Sequence, residues 1–103
     1  MAGLSEALLF LARRPQAVRI LKVAAEYKAS RGKAPYTREL LNLAANGDRG
    51  YSMRLLEELQ ALGLLRRYKD YLREDLKIPV VRNEPTPLAY KVLAIIEGDS
   101  NDL

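Results

Sequence analysis

The sequence predicts a mainly helical domain with a small β-hairpin, in the order helix, helix, helix, helix, strand, strand, helix. Apolar residues recur at helical spacing along most of the chain, and Pro and Gly residues separate these segments from one another. After residue 64 the pattern changes to Tyr, Ile and Val with charges between them, which is typical of strands. A length of 103 residues favours one domain.

Two helices come first in this prediction. Ser5 is the candidate N-cap of a short helix that ends near Arg13, because Arg14 precedes a proline and that position disfavours helical backbone. Pro15 suits the first turn of the second helix, which ends at Gly32. The apolar side of the first helix holds Leu4, Leu8, and Leu11 or Ala12.

The third and fourth helices are short and lie on either side of a turn. Thr37 is the candidate N-cap of the third helix, and residues 46–50 (NGDRG) have the composition of a turn. Ser52 is the candidate N-cap of the fourth helix, and Gly63 lies where a left-handed residue commonly follows a helix. The apolar stripe of the fourth helix is Leu55, Leu56, Leu59 and Leu62.

The predicted β-hairpin consists of residues 65–71 and residues 78–83. Pro79 indicates that the second strand is an edge strand or is only partly paired, because proline has no N–H to donate to a neighbour. The connecting residues 72–77 (LREDLK) carry four charges and are long for a hairpin turn.

The last predicted helix begins with Thr86 as N-cap and Pro87 in its first turn, and it ends at Gly98. Residues beyond it are expected to fray. We therefore divide the chain into an N-terminal helix at 1–14, a main domain at 15–98 and a frayed tail at 99–103.

The composition excludes several kinds of site. Without Cys the chain forms no disulfide, thiolate nucleophile or cysteine zinc site, and without His it lacks the commonest metal ligand and proton shuttle. Paired carboxylates, a phosphate-binding glycine loop and a nucleophile–base pair are not evident in the sequence. We therefore expect no enzyme activity, no metal and no cofactor.

The sequence also bears on localisation. The N-terminus lacks the basic region of a signal peptide, and the longest apolar run, residues 7–12, is far shorter than the roughly 20 residues of a membrane span. We expect a cytoplasmic protein without a membrane partner, associated with the nucleoid if it binds DNA.

Charge is distributed unevenly along the chain. Residues 13–38 contain eight Lys or Arg against one acidic residue, a balance of +7, and residues 49–82 contain eight against five, a balance of +3. Residues 83–103 carry one Lys against four acidic residues, a balance of −3. The total of +4 is thus concentrated in the first four fifths of the chain, which favours a polyanionic partner on that side, although solvated helix faces explain it equally well.

Three motifs, in this order, resemble those of winged helix-turn-helix regulators. Residues 35–41 (PYTRELL) resemble the start of the positioning helix, and residues 52–65 (SMRLLEELQALGLL) resemble the recognition helix with its Leu-x-x-x-Gly-Leu tail. Residues 85–90 (PTPLAY) resemble the start of the helix after the wing in MarR- and PadR-type repressors, although Ala89 stands where those families often have Gly. The resemblance covers about residues 16–97 and implies a winged helix-turn-helix fold from a small archaeal or bacterial protein.

This resemblance implies sequence-selective binding of double-stranded DNA by a transcription regulator. The recognition helix, about 52–62, would lie in the major groove, and the wing, about 65–83, would lie on the backbone or in the minor groove. Arg54 fits the bidentate pairing with guanine, whereas its alternative is a solvated pair with Glu58 one turn away. The DNA-contacting candidates are Thr37, Arg38, Arg49, Tyr51, Ser52, Met53, Arg54, Arg73 and Lys77.

The first helix carries more apolar surface than a short helix usually buries in its own domain. Terminal helices commonly form the dimer interface of such repressors, so the resemblance implies a homodimer in which Leu4, Leu8 and Leu11 meet a second copy. The alternative is that this helix packs on the core of its own chain.

A different class of function stays open. Winged helices also serve as protein-binding adaptors, and Glu57 and Glu58 in the middle of the recognition helix favour this reading, because they repel phosphate. A basic surface that runs without interruption across Thr37, Arg54 and Arg73 favours DNA.

Overall fold

The computed structural model describes residues 3–45, 47–73 and 75–101, with side chains described as far as Gly98. Within these ranges the chain forms five helices and one two-stranded antiparallel sheet, which confirms the predicted mainly helical domain with a small β-hairpin. The elements are α1 (Leu4–Ala12), α2 (Pro15–Arg31), α3 (Thr37–Ala44), α4 (Arg49–Ala61), β1 (Leu65–Tyr71), β2 (Pro79–Pro85) and α5 (Pro87–Asn101).

The apolar core surrounds α2, which contacts α1, α3, α4, α5 and β2. Ile20 and Leu21 of α2 are fully buried, as are the leucines that α3, α4 and the start of the hairpin turn towards them. Burial of each such side chain stabilises the fold by roughly 1.5–3 kcal/mol before entropy is considered. The other large core residues are Leu11, Leu40, Leu55, Leu56, Leu59, Leu64, Leu65 and Val92.

The first two helices follow the prediction except at one cap. Gly3, and not Ser5, is the N-cap residue of α1, because the Gly3 carbonyl accepts the amide of Ala7 at 3.1 Å and Leu4 is already helical. Pro15 begins α2 as predicted, and Gly32 ends it in the left-handed conformation with φ 76°, where a side chain would be strained.

The fourth helix begins earlier than predicted. Asp48, and not Ser52, is its N-cap, since the Asp48 carboxylate accepts the Tyr51 amide at 2.8 Å. Arg49 and Gly50 therefore belong to the first helical turn and not to the preceding turn, within which Asn46 lies outside the described residues. Ser52 lies inside the helix, on the buried face with Leu55, Leu56 and Leu59, and so it does not occupy the N-cap position.

The end of α4 agrees with the prediction. Gly63 has φ 76°, its amide donates to the Gln60 carbonyl at 3.0 Å, and the Leu64 amide donates to the Leu59 carbonyl at 2.8 Å. These two bonds form a Schellman motif, and the buried Leu64 supplies its apolar contact. The motif turns the chain directly into β1.

The hairpin pairs β1 with β2 in a regular register from Leu65 opposite Pro85 to Tyr71 opposite Pro79. Pairing therefore extends two residues beyond the predicted strand end at residue 83, and Pro79 begins β2 at its outer end, where no ladder hydrogen bond is lost. The chain just before α3 pairs briefly with the free edge of β2. Tyr36 forms a β-bridge with Arg82, and the Asn83 amide donates to the Pro35 carbonyl at 2.9 Å.

The last helix has the predicted N-terminus. The Thr86 hydroxyl accepts the Ala89 amide at 3.2 Å and donates to the Gly63 carbonyl at 2.6 Å, which ties the start of α5 to the end of α4. The helix continues through Gly98 to Asn101, so the predicted end at Gly98 is wrong; Gly98 keeps a negative φ, and glycine in that conformation weakens a helix without ending it. Residues 102–103 of the predicted tail lie outside the described residues.

Two kinds of feature are absent from the described ranges. None of the helices there is long and apolar enough to cross a bilayer, and no group of three or more acidic side chains there is arranged to hold a metal ion.

Candidate nucleic-acid interface

The C-terminus of α3 is held against α2 by two polar side chains. Gln16 Nε2 donates to the Ala44 carbonyl at 2.7 Å, and Arg19 Nε donates to the same carbonyl oxygen at 3.1 Å. The last carbonyls of a helix have no partner within the helix, so these bonds satisfy one of them and set where the turn to α4 begins. Sequence reasoning did not identify this role, because no local pattern links residues so distant along the chain.

The N-terminus of α3 is joined to the hairpin through Thr37. Tyr36 occupies the N-cap position, so the prediction that Thr37 caps this helix is wrong. The Thr37 hydroxyl instead donates to the Val81 carbonyl at 3.2 Å and accepts from Arg67 Nη2 at 3.1 Å and from Asn83 Nδ2 at 3.2 Å. With its hydrogen bonds turned towards the sheet, the Thr37 hydroxyl acts as a structural group.

Arg67 and Asn83 complete this polar junction, which we call the hairpin base (Thr37, Arg67, Arg82 and Asn83). Arg67 Nε donates to Asn83 Oδ1 at 2.8 Å, and Asn83 is fully buried. Burial of a polar side chain lowers the stability of the fold unless its hydrogen bonds are made. Here each polar side chain of the hairpin base donates or accepts a hydrogen bond. Arg67 is one of several cations in the predicted strand at residues 65–71, and no local pattern distinguishes it or Asn83 from their neighbours.

Arg82 lies on the other side of the sheet and is 7% exposed. Its Nη1 donates to the Ala34 carbonyl at 2.7 Å, and its Nε donates to Asp70 Oδ2 at 2.6 Å. The hydrogen bond from Arg82 holds the pKa of the Asp70 carboxyl below its ordinary value. Arg82 thus fastens β1, β2 and the chain before α3 to one another.

Glu84 joins the hairpin to α2 through two cations. It pairs with Lys28 of α2, and Arg66 of β1 donates to Glu84 Oε1 at 2.7 and 3.1 Å. The hydrogen bond from Lys28 and, to a smaller extent, that from Arg66 lower the pKa of the Glu84 carboxyl. The hydrogen bond between Lys28 and Glu84 also raises the pKa of Lys28. Arg66 also stacks on Tyr68, with its guanidinium carbon 4.3 Å from the centre of the ring, so its guanidinium group contacts both Glu84 and Tyr68.

The surface of α4 carries both signs of charge. Arg54 and Glu57 are exposed and lie three residues apart, which makes them neighbours on the face opposite the buried leucines. Glu58 pairs instead with Arg14, the residue before α2, with 3.9 Å between Glu58 Oε2 and Arg14 Nε. The alternative in which Arg54 pairs with Glu58 is therefore not seen. Within residues 3–45, 47–73 and 75–98, Arg54 makes no ion pair.

The other candidates from α4 differ in accessibility. Ser52 is 1% exposed, so the expectation that it reaches a ligand is not met. Tyr51 and Met53 are half-buried and pack against the core, which leaves only their outer edges to solvent. Arg49 is exposed and its guanidinium donates to Asn42 Oδ1, which links the first turn of α4 to α3.

Arg38 and Lys69 lie close to the hairpin base. Arg38 follows Thr37 in the first turn of α3 and is exposed. Lys69 pairs in register with Val81, whose carbonyl accepts the Thr37 hydroxyl, and it shares a face of the hairpin with Arg67. In the described part of the chain neither cation makes an ion pair, so both charges face solvent beside the N-terminus of α3.

In the tip of the hairpin, residues 71–79, each described residue is exposed. Arg73 pairs with Asp75 at 2.9 Å, which partly neutralises this candidate, while Lys77 is exposed and has φ 50°. Glu74, which also lies between Arg73 and Lys77 in the sequence, is outside the described residues. The apolar members of the tip were not anticipated from the sequence.

The predicted dimer residues on α1 are divided between core and surface. Leu11 is 1% exposed and packs inside its own chain, Leu8 is half-buried and Leu4 is 39% exposed. Leu9, which was not a candidate, is the most exposed leucine of α1 at 57%. An apolar groove between α1, α2 and α5 is lined by Leu8, Leu11, Ala12, Pro15, Val18, Ile95 and Ile96.

Comparison with protein-family models, curated protein sequences and solved structures found no match for this chain.

Proposed function

We propose that this protein is a winged helix-turn-helix protein that binds double-stranded DNA selectively and regulates transcription. The layout supports the fold: α3 and α4 follow α2, the hairpin follows α4 at once, and the segment at Tyr36 adds an edge to β2. The observation that carries the function is the set of solvent-facing cations on these elements. Arg38 begins α3, Arg54 lies on the outer face of α4, and Lys69 and Lys77 lie on the hairpin.

Each of these positions suits one kind of DNA contact. Arg54, on the outer face of α4, offers the guanidinium fork that pairs with O6 and N7 of guanine in the major groove. Arg38 adds a cation to the positive N-terminal end of α3, a combination that suits a phosphate. Lys69 and Lys77 extend the cationic positions along the hairpin, which acts as the wing.

A homodimer is part of the proposal. Leu8 and Leu11 line the apolar groove between α1, α2 and α5, and Leu4 on the same helix is 39% exposed, which favours association with a second copy. Two-fold dimers match palindromic sites, so we expect two half-sites in the bound sequence. In the cell we expect the protein in the cytoplasm, on the nucleoid.

The second candidate function is a protein-binding adaptor, and one specific observation favours it. Glu57 lies beside Arg54 on the outer face of α4, so a helix inserted into the major groove would bring a carboxylate close to the DNA. In the adaptor, the mixed charges of α4 would pair with complementary charges on another protein.

Selection of bound sequences from random duplex DNA at physiological salt distinguishes the two functions. We expect enrichment of a site with two-fold symmetry, and a binding constant that falls with salt with a log–log slope of about −0.9 for each phosphate contacted. Failure to enrich any sequence, together with undetectable binding to duplex DNA, would favour the adaptor.

Two arginine variants test the assignment of α4. Arg54→Ala is expected to cost about 1–3 kcal/mol of binding free energy and to relax the preference at one base position. Arg66→Ala is the matched control, since Arg66 is exposed but is engaged with Glu84 and Tyr68. Equal affinities for the two variants would remove Arg54 from the interface.

A further inference from the structure

The tip of the hairpin combines exposure with apolar character in a way that no other exposed loop among the described residues does. Four large apolar side chains are 40–57% exposed there: Tyr71 at 52%, Leu72 at 42%, Leu76 at 57% and Ile78 at 40%. A single exposed leucine is ordinary on a protein surface, but a cluster at the end of a projecting element marks a contact site.

The tip is ordered by its own backbone hydrogen bonds. The Leu72 amide donates to the Ile78 carbonyl at 2.8 Å, which extends the pairing beyond the strands, and the Lys77 amide donates to the Arg73 carbonyl at 2.8 Å. Lys77 adopts a left-handed conformation to close this turn, and Leu76 lies within it at the end of the hairpin. Leu76 is therefore presented on a defined turn, so inserting it costs less ordering entropy than it would on a flexible loop.

Cations lie on both sides of this apolar end. Lys77 adjoins Leu76, and Lys69 precedes the tip on β1. The charge of Asp75 is paired with Arg73, and Glu74, the other acidic residue in the tip sequence, lies outside the described residues. The minor groove of DNA presents the complementary arrangement, with phosphates along two walls and sugar C–H groups and base edges between them. The apolar side chain would meet the groove, and the lysines would meet its walls.

We propose that the tip of the hairpin is an apolar wedge, in which Leu76 enters the minor groove and kinks the duplex. This inference rests on the proposed DNA-binding function and adds a mechanism to it. The groove is about 6 Å wide and paired strands are about 4.8 Å apart before side chains are counted, so the tip cannot enter undistorted DNA as a ribbon. Insertion of one leading side chain between base pairs opens the groove, and such wedges bend DNA by roughly 20–90°.

The wedge has a consequence for sequence selectivity. Pyrimidine–purine steps such as TA and CA/TG are unstacked most easily, so the energy of the kink depends on the base step beneath Leu76. We expect a TA or CA/TG step in the bound sequence at the position of the wing, even though Leu76 makes no hydrogen bond to a base. The apolar tip thus contributes selectivity through the deformability of DNA.

Fluorescence energy transfer between the two ends of a labelled duplex, carrying the selected site, measures the bend directly. The test variant is Leu76→Ser, and the control is Tyr90→Ser, because Tyr90 on α5 is 44% exposed and belongs neither to the proposed DNA-binding elements nor to the apolar groove of the proposed dimer. Leu76→Met keeps an apolar side chain and serves as the conservative variant. Leu76 and Tyr90 are both exposed, so the fold is expected to persist in all three variants, and circular dichroism checks it.

We expect the protein, the Tyr90→Ser variant and the Leu76→Met variant to bend the duplex by roughly 20–90°. Leu76→Ser is expected to abolish most of the bend and to bind at least about tenfold more weakly at a site with a TA step under the wing, because the protein–DNA contacts that the bend permits are lost with it. Replacing that TA step by GC should weaken DNA binding by the wild-type protein and leave DNA binding by the Leu76→Ser variant nearly unchanged.

Binding without a bend, or an equal bend with Leu76→Ser, overturns the wedge and leaves the proposed function intact. If no variant binds duplex DNA, the proposed function itself fails, and the wedge fails with it. Binding of the apolar tip to another protein in place of DNA belongs to that second outcome.

Discussion

The arginines at the hairpin base differ from Arg38 of α3 and Arg54 of α4 in what their guanidinium groups contact. Arg67 and Arg82 donate to oxygens within the chain, and Arg82 is 7% exposed. Arg38 and Arg54 are exposed, and within the described ranges they form no ion pair. A positive segment of sequence therefore contains cations that hold the fold and cations that face solvent, and only their contacts separate the two groups.

The largest expected effect comes from breaking the first group at Arg82. Arg82→Met keeps the length of the side chain but removes the donors to Ala34 and Asp70, so we expect the free energy of unfolding to fall by about 2–3 kcal/mol. Urea unfolding measures this change. Arg54→Met is the control from the second group and should stay within about 0.5 kcal/mol of the wild-type stability; a comparable loss there would show that the two groups do not differ.

A smaller change tests the hydroxyl that connects the regions. Thr37→Val keeps the shape of the side chain but removes the hydrogen bonds to Val81, Arg67 and Asn83, and we expect a loss of about 1 kcal/mol or somewhat more in the free energy of unfolding. Thermal unfolding detects it as a lower midpoint. An unchanged midpoint would mean that solvent satisfies these groups equally well and that Thr37 is not structural.

The salt dependence of DNA binding tests the solvent-facing group, Arg38 and Arg54. Arg38→Ala is expected to weaken binding to all duplex sequences alike and to reduce the magnitude of the log–log salt slope by about 1, as for loss of one phosphate contact. Fluorescence anisotropy over a range of salt concentrations gives the slope. Arg66→Ala should leave it unchanged; a slope that moves equally in both variants would contradict the division.

The smallest effect is a change of stability in acid. The Asp70 and Glu84 carboxyls have pKa values below their ordinary 3.8 and 4.5, because Arg82 and Lys28 respectively donate to them. A lowered folded pKa stabilises the protein above the unfolded value, and this stabilisation is lost as the pH falls through the folded value, so stability should decline below about pH 4.

Glu84→Gln tests the origin of that decline, because the glutamine does not titrate. The variant should be less stable at pH 7 and should lose less between pH 5 and pH 2 than the wild-type protein does, as followed by chemical denaturation. Lys28 has the opposite sign: its pKa is raised, so its contribution is present below its ordinary 10.5 and is lost as the pH rises above that value. An equally steep acid decline in Glu84→Gln would assign it to other carboxyls.

Much of the backbone could be predicted from local chemistry alone. Pro15 at the start of α2, the left-handed Gly32 and Gly63, and the Thr86 cap of α5 each depend on neighbours within a few residues, and all four were confirmed. The competing choice at α4 shows the limit of this reasoning. Both Asp48 and Ser52 are good N-caps, and the requirement that Ser52 join the buried leucine face decides between them.

The sequence by itself determined the order of elements, the apolar faces and the segments where positive charge accumulates, since periodicity and caps act over a few residues. Only the tertiary structure decided which cations bond to oxygens of the chain and which face solvent. Arg67 and Arg82 lie in a strand pattern that looks solvent-facing, yet each meets oxygens from 12 to 48 residues away along the chain. Electrostatic and hydrogen-bond partners are chosen by distance in space, and that distance exists only once the hairpin has packed against the start of α3.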